Sequence, residues 1–323
     1  MSIKPILIVW GEPNSVFSEI FLKSIRRYKS KKPIILIGSK KLLIKQIRKL
    51  NIKFNTNSIN MISENLKNIK KNKINLINID YKFTKPFERI TSKSSSYISN
   101  CFKKALDIIS ENEVSGLING PVSKKSFLKK RYLGITEFLA KKLKIKDNYA
   151  MLLYGKSLSV SPLTTHLPIF KVSKNIKKKS LILKVSLIHN FYKKFFSFKP
   201  KIAVCGLNPH CENFYNKSEE KRIIGPAINH LKKRKIKITG PIPADTIFMK
   251  NIRNNYDVII GMYHDQVLAP IKSIYNFAAI NITLGLPFIR ISPDHGPNFD
   301  MIGKNKSNCE SLINSIKFLN KIN

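Results

Sequence analysis

Short apolar runs rich in β-branched residues recur along this chain, several of them apolar on consecutive positions instead of alternating. They are Pro5–Trp10, Pro33–Gly38, Ile74–Ile79, Gly116–Asn119, Tyr149–Tyr154, Leu158–Leu163, Lys201–Leu207, Tyr256–Met262, Ala278–Leu284 and Phe288–Ile291. A strand with one wet face alternates apolar and polar residues, so continuous runs predict strands covered on both faces. Between them lie segments of helical spacing. Ile98, Phe102, Ala105, Leu106 and Ile109 form one stripe, with the Ser/Thr cluster Thr91–Ser96 supplying caps. Phe138, Leu139 and Leu143, then Ile223, Ile224, Ala227, Ile228 and Leu231, read likewise. Strand and helix in alternation predict an α/β fold with a largely parallel sheet. At 323 residues the chain has room for two domains or one large one. Asn51–Lys82 reads as a lysine-rich surface excursion around one short strand, and no Ser/Gly-rich linker appears.

The formal charge of +40 would ordinarily suggest nucleic acid. The lysines are scattered, however, and come with heavy use of Ile and Asn, as expected when compositional drift acts on every tolerant surface position. Runs such as Lys67–Lys73 and Lys174–Lys179 read as solvated faces, so no nucleic-acid partner is expected. A basic RNA-binding protein that has lost catalysis stays as a third reading; it requires lysines gathered on one face. The four cysteines form no C-x-x-C pair, which speaks against a zinc ribbon, and Cys205 reads as a small buried residue. No segment reaches the roughly 18 apolar residues of a membrane helix, and a cytoplasmic setting is expected.

Six histidines are present. His189 and His230 lie in helical stretches among apolar and basic neighbours. His166, His210, His264 and His295 instead fall where an apolar strand gives way to a loop, and ligands bind at the carboxyl ends of strands in α/β sheets. His166, His210 and His264 carry no short-range metal signature, yet three imidazoles make a reasonable divalent-metal set. Asp245 and Asp265 could orient imidazoles or join the site. Lys272, Asn281 and Arg290 near strand ends would suit an anionic substrate.

The phrases NGPVSKKSF, GITEFLA, TTHLPIF, CGLNPH, GPIPADTIF, MYHDQVLAPIK, NITLGLPFIR and PDHG occur in an order that resembles the 4-hydroxythreonine-4-phosphate dehydrogenase family of vitamin B6 biosynthesis. The resemblance implies two α/β/α domains like those of isocitrate and isopropylmalate dehydrogenases, with the active-site cleft between them at a homodimer interface. The expected domains are 1–130 plus 278–323 and 131–277. It further implies NAD or NADP, and one divalent metal per subunit (zinc, magnesium or cobalt) on His166, His210 and His264. Ile135, Thr136, Lys272, Asn281 and Arg290 fall at substrate contacts, and Lys272 and Asp245 are candidates for taking the hydroxyl proton. The loop 293–304, with Asp294, His295, Gly296 and Asp300, resembles the one that holds the NAD adenosine.

Departures fall near these positions. The family phrase Gly-His-Thr-Glu-Phe is here Gly134-Ile135-Thr136-Glu137-Phe138, so a histidine is replaced by isoleucine. The loop Gly11–Glu19 has lost glycines, the glycine-rich phrase after Lys272 is altered, Pro297-Asn298 replaces a small pair, and GLNPHCEN lacks a glycine after its histidine. The implied activity is oxidation and decarboxylation of 4-hydroxythreonine 4-phosphate. The alternative is a related metal-dependent dehydrogenase for another phosphorylated hydroxy acid, with Ile135 reshaping the pocket.

Overall fold

The computed structural model describes residues 4–322, apart from 55–58, 63–65, 67, 72, 129–131, 133, 212–214, 277 and 294–295. Twelve strands are described: β1 (Ile6–Val9), β2 (Ile34–Gly38), β3 (Ile59–Met61), β4 (Ile74–Asn78), β5 (Gly116–Asn119), β6 (Ala150–Tyr154), β7 (Ser159–Pro162), β8 (Ile202–Cys205), β9 (Ile238–Ile242), β10 (Val258–Gly261), β11 (Ile280–Leu284) and β12 (Arg290–Pro293). The chain forms two compact units, 1–138 with 287–323, and 139–286.

In the first unit the strand order is β3-β4-β2-β1-β5-β12, every pairing parallel. Parallel neighbours need crossovers, which the helices Phe17–Arg27, Lys40–Lys49 and Ser95–Glu111 supply. All residues of β1, β2 and β5 are buried, as continuous apolar runs require. The stripe of helix Ser95–Glu111 is rotated slightly from the expected one: Ile98, Cys101, Phe102, Ala105 and Ile108 are buried, whereas Leu106 and Ile109 are half-buried.

In the second unit the order is β11-β6-β7-β10-β8-β9. β6 runs antiparallel to both neighbours, and the remaining pairings are parallel. The sequence reading begins the return to the first domain at 278, whereas pairing with β6 keeps β11 in the second unit. Leu153, Val160, Ala203, Cys205 and Ile259 from the strands pack with Val267, Leu268 and Ile271 of helix His264–Tyr275 to form the core.

Ten strands coincide with the ten apolar runs, and two do not. β3 and β9 each lie at the end of their unit's strand order, and both are partly exposed. A strand with one neighbour and one wet face has no need of a continuous apolar run. The excursion 51–82 consequently holds two strands, not one. Burial pushes the Cys205 thiol up to about 12, which keeps it protonated and inert. Among the described residues no helix is long and apolar enough to cross a membrane.

Candidate active site

Two histidines reach one place because two strands end in register. β7 and β10 pair with Pro162 opposite Gly261, and the ladder continues beyond them. Leu163 N donates to Gly261 O at 2.7 Å, and both the amide (3.1 Å) and the hydroxyl (2.7 Å) of Thr164 donate to Met262 O. His166 and His264 each lie two residues beyond the Thr164–Met262 pair. Their ring centroids are 5.6 Å apart. Lys184, from helix Lys178–Phe196, donates to Leu163 O at 2.7 Å and ties down the same strand end.

His264 differs from the sequence expectation in one respect. It lies not in a loop but at the first position of helix His264–Tyr275, with Pro270 inside the helix. Pro270 hid the helix from sequence reading, since a proline within a helical pattern normally marks its end. Gly261 permits the tight return: a Cβ there would come within 2.5 Å of Val267 Cγ1. Asp265 Oδ1 lies 2.6 Å from His264 Nδ1; when Nδ1 carries the proton it donates to this carboxylate, and Nε2 keeps its lone pair. The buried Gln266 accepts from Met262 N at 2.6 Å and donates to Gly206 O at 2.8 Å. It thus joins the end of β10 to the end of β8.

Beyond β8 the chain turns at Pro209–Cys211. His210 is exposed, and both it (φ 55°) and Cys211 (φ 56°) are left-handed. Each non-glycine residue in that region costs roughly 1–2 kcal/mol, so the turn needs support from its surroundings. Among the described residues no group of three or more His, Cys, Asp or Glu gathers as a metal cluster. The structure brings His166 and His264 together, and it presents His210 from the separate turn beyond β8. Asp245 is exposed in the turn after β9, and Lys272 is exposed on helix His264–Tyr275. Asn281 lies on β11 opposite Leu153, with its Oδ1 buried and lacking a hydrogen-bond partner among the described residues. Asn276, within the altered glycine-rich phrase, adopts φ 50° and ψ −118°, positive-φ backbone outside the left-handed helical well that glycine enters most readily.

In the first unit Arg290 opens β12 and is only 2% exposed. Its Nε donates to Asn119 Oδ1 at 2.7 Å, and Nη1 donates to Thr136 Oγ1 at 3.3 Å. Burial pushes the guanidinium down to about 10, opposed by the nearby Glu137 carboxylate, so it remains a cation at neutral pH. Glu137 Oε2 is itself buried without a hydrogen-bond partner among the described residues, and Ile135 is buried at the start of helix Ile135–Lys142. Asn119 follows from β5, which pairs with β12. Sequence reading passed over it because its partner is 171 residues away.

Asp294 and His295 lie outside the described residues. Gly296 is exposed, and a Cβ on it would meet nothing within 4 Å. Pro297 O accepts from Val16 N at 3.3 Å, Asn298 has φ 55°, and Asp300 is exposed. This segment therefore runs beside the loop Gly11–Val16, where Glu12 accepts from Ser94 Oγ at 2.8 Å. Burial holds the Glu12 carboxyl above the usual carboxylate range, against the hydrogen bonds from Ser94 and the Asn14 amide.

The family described as pyridoxal phosphate biosynthetic protein PdxA matches residues 29–319. The chain belongs to the PdxA family. A 4-hydroxythreonine-4-phosphate dehydrogenase of Sulfurihydrogenibium sp. is 38% identical over 315 residues, covering 96% of this chain and 95% of that protein. The D-threonate 4-phosphate dehydrogenase of Salmonella typhimurium is 34% identical over 232 residues, 71% of each chain. Among solved PdxA-like structures, a 4-hydroxythreonine-4-phosphate dehydrogenase from Klebsiella pneumoniae superposes with a TM-score of 0.83 at 30% identity, covering 98% of both chains.

Proposed function

We propose that this chain is a nicotinamide-dependent dehydrogenase that oxidises 4-hydroxythreonine 4-phosphate. The resulting β-keto acid loses carbon dioxide to give 3-amino-2-oxopropyl phosphate, a step of pyridoxal 5′-phosphate (vitamin B6) biosynthesis, in a cytoplasmic homodimer. The observation that carries this reading is the close pair His166 and His264 at adjacent strand ends, in a chain of the PdxA family. In the oxidation, hydride leaves the carbinol carbon for NAD or NADP and the hydroxyl proton leaves to a base. The new ketone lies β to the carboxylate, so the carbon–carbon bond breaks with its electrons moving toward the ketone oxygen.

The donor set fits a divalent cation such as zinc, magnesium or cobalt(II). Two imidazoles lie with ring centroids 5.6 Å apart, and a hydrogen bond from Nδ1 of His264 to Asp265 leaves the Nε2 lone pair for a cation. Held by these two with His210 from either copy of a homodimer, such a cation would act as a Lewis acid on the substrate's hydroxyl oxygen and on the ketone that follows. The protein's own groups bind and orient. Arg290, kept cationic and aimed by Asn119 and Thr136, takes an anionic end of the substrate. Thr136, Lys272 and the amide of Asn281 are further substrate contacts, and Lys272 or Asp245 receives the hydroxyl proton. Asp294, His295, Gly296 and Asp300 hold the adenosine end of the nicotinamide cofactor.

A second reading has a specific observation in its favour. Ile135 is buried and apolar where the family phrase carries a histidine, and several relatives, that of Salmonella typhimurium among them, are named for D-threonate 4-phosphate. The two substrates differ in having an amine or a hydroxyl beside the carboxylate. Initial rates of nicotinamide reduction with each substrate test the choice. A higher kcat/KM with 4-hydroxythreonine 4-phosphate is expected, and a preference for D-threonate 4-phosphate would establish the second reading instead.

A further inference from the structure

The turn that presents His210 is held by a carboxylate ten residues further on, to which no role is yet attached. Glu220 is buried, and its Oε1 accepts from the amides of Leu207 (2.7 Å) and Asn208 (2.9 Å). Its Oε2 accepts from Asn208 Nδ2 at 2.8 Å, and Glu219 Oε2 accepts from the same nitrogen at 3.0 Å. Glu220 is itself fixed, because the helical turn Glu220–Ile224 leads directly into helix Gly225–Lys233, which buries Ala227, Ile228 and Leu231.

The two residues preceding Pro209 and His210 are therefore locked from behind through three hydrogen bonds to one carboxylate. The chain leaves them into two successive left-handed residues, His210 and Cys211, that no glycine relaxes. Gln266 in turn donates to Gly206 O, the carbonyl just before Leu207, at 2.8 Å. We infer that Glu220 is a positioning residue for divalent-cation capture: its carboxylate holds His210 in the presenting conformation before any cation arrives. The inference rests on the reading of His210 as a cation ligand given above. Groups hydrogen-bonded directly to a metal's ligands typically account for roughly 10- to 100-fold in metal affinity, which sets the scale for one acting through the ligand's turn.

The test is cobalt(II) binding to the full chain by titration calorimetry, with circular dichroism to verify folding. His210→Ala should weaken binding strongly, and Glu220→Gln should weaken it by roughly 10- to 100-fold. The glutamine keeps one acceptor oxygen but turns a donor toward Asn208 Nδ2. A folded Glu220→Gln protein with wild-type cobalt affinity would overturn the inference. Should that variant fail to fold, Asn208→Asp decides the matter by setting a third carboxylate against Glu219 and Glu220. It should lose affinity similarly, and a folded Asn208→Asp protein binding as wild type would equally overturn it. If His210→Ala binds cobalt as tightly as wild type, the ligand reading itself fails, an outcome separate from the failure of Glu220 alone.

Discussion

Replacing Arg290 with methionine separates anion binding from structural support. Methionine fills a similar path through the protein without charge or donors. In the wild type the guanidinium is 2% exposed, donates to Asn119 at 2.7 Å and to Thr136 at 3.3 Å, and remains protonated at neutral pH because its value falls only to about 10. A hydrogen bond from such a cation to a substrate anion contributes about 1.5–3 kcal/mol. At ~1.4 kcal/mol per factor of ten, kcat/KM should fall roughly 10- to 100-fold. Stability should also fall, because Asn119 Oδ1 loses its donor and Glu137 loses the neighbouring cation; about 1–3 kcal/mol is expected for a buried group left unpaired. Steady-state rates at saturating nicotinamide, set beside thermal unfolding of the same sample, read the two effects separately. Because Arg290 titrates only near 10, the ratio of mutant to wild-type kcat/KM should be flat from mildly acidic to mildly alkaline pH. A folded Arg290→Met protein with kcat/KM within about threefold of wild type would refute the assignment of Arg290 as an anion contact, since even the low end of that hydrogen-bond range exceeds it.

Gln266→Leu should destabilise the chain by about 2–4 kcal/mol in thermal unfolding, because it leaves Met262 N and Gly206 O unpaired in buried surroundings. A loss below about 0.5 kcal/mol would mean that those groups find other partners. Glu12 provides a pH test. Its folded-state value is raised, so it favours folding when neutral, below the ordinary carboxylate value, and that contribution is lost as pH rises through the folded value. Wild type should therefore lose stability relative to Glu12→Gln on going from acid to neutral pH, and a pH-independent difference would contradict the burial argument. Thr164→Val should lower stability by only about 0.5–1.5 kcal/mol, since Met262 O keeps the Thr164 amide as a donor. The same variant should loosen the His166–His264 pair, read as weaker cobalt binding; unchanged binding would show that the backbone ladder alone sets the pair.

The strands covered on both faces were legible because burial on both sides leaves a sequence mark that does not depend on partners. β3 and β9 escaped because an edge strand is free to be half polar. His166 and His264 stood out as histidines at strand ends, but nothing local announces that β7 and β10 are neighbours ending in register. The helix beginning at His264 was hidden by Pro270, a residue that normally argues against one. Asn119, Gln266 and Glu220 were missed for a common reason: each acts on a residue or backbone group distant in the chain. Asn119 and Arg290 are 171 residues apart, and Gln266 and Gly206 are 60 apart. Periodicity and motif spacing carry no trace of such pairings. The grouping of His166 and His264 with His210 comes from the family resemblance and not from spacing, and it enters here as a proposal.

The central claim is that this chain performs a cation-dependent dehydrogenation at its histidines. The direct measurement is reduced nicotinamide formed from 4-hydroxythreonine 4-phosphate and NAD, in wild type and His166→Ala, each first stripped by chelator and then reloaded with zinc or cobalt(II). Turnover that vanishes on stripping, returns on reloading in wild type, and stays absent in His166→Ala is the expected result. Turnover that survives stripping, or is equal in the two proteins, would contradict it.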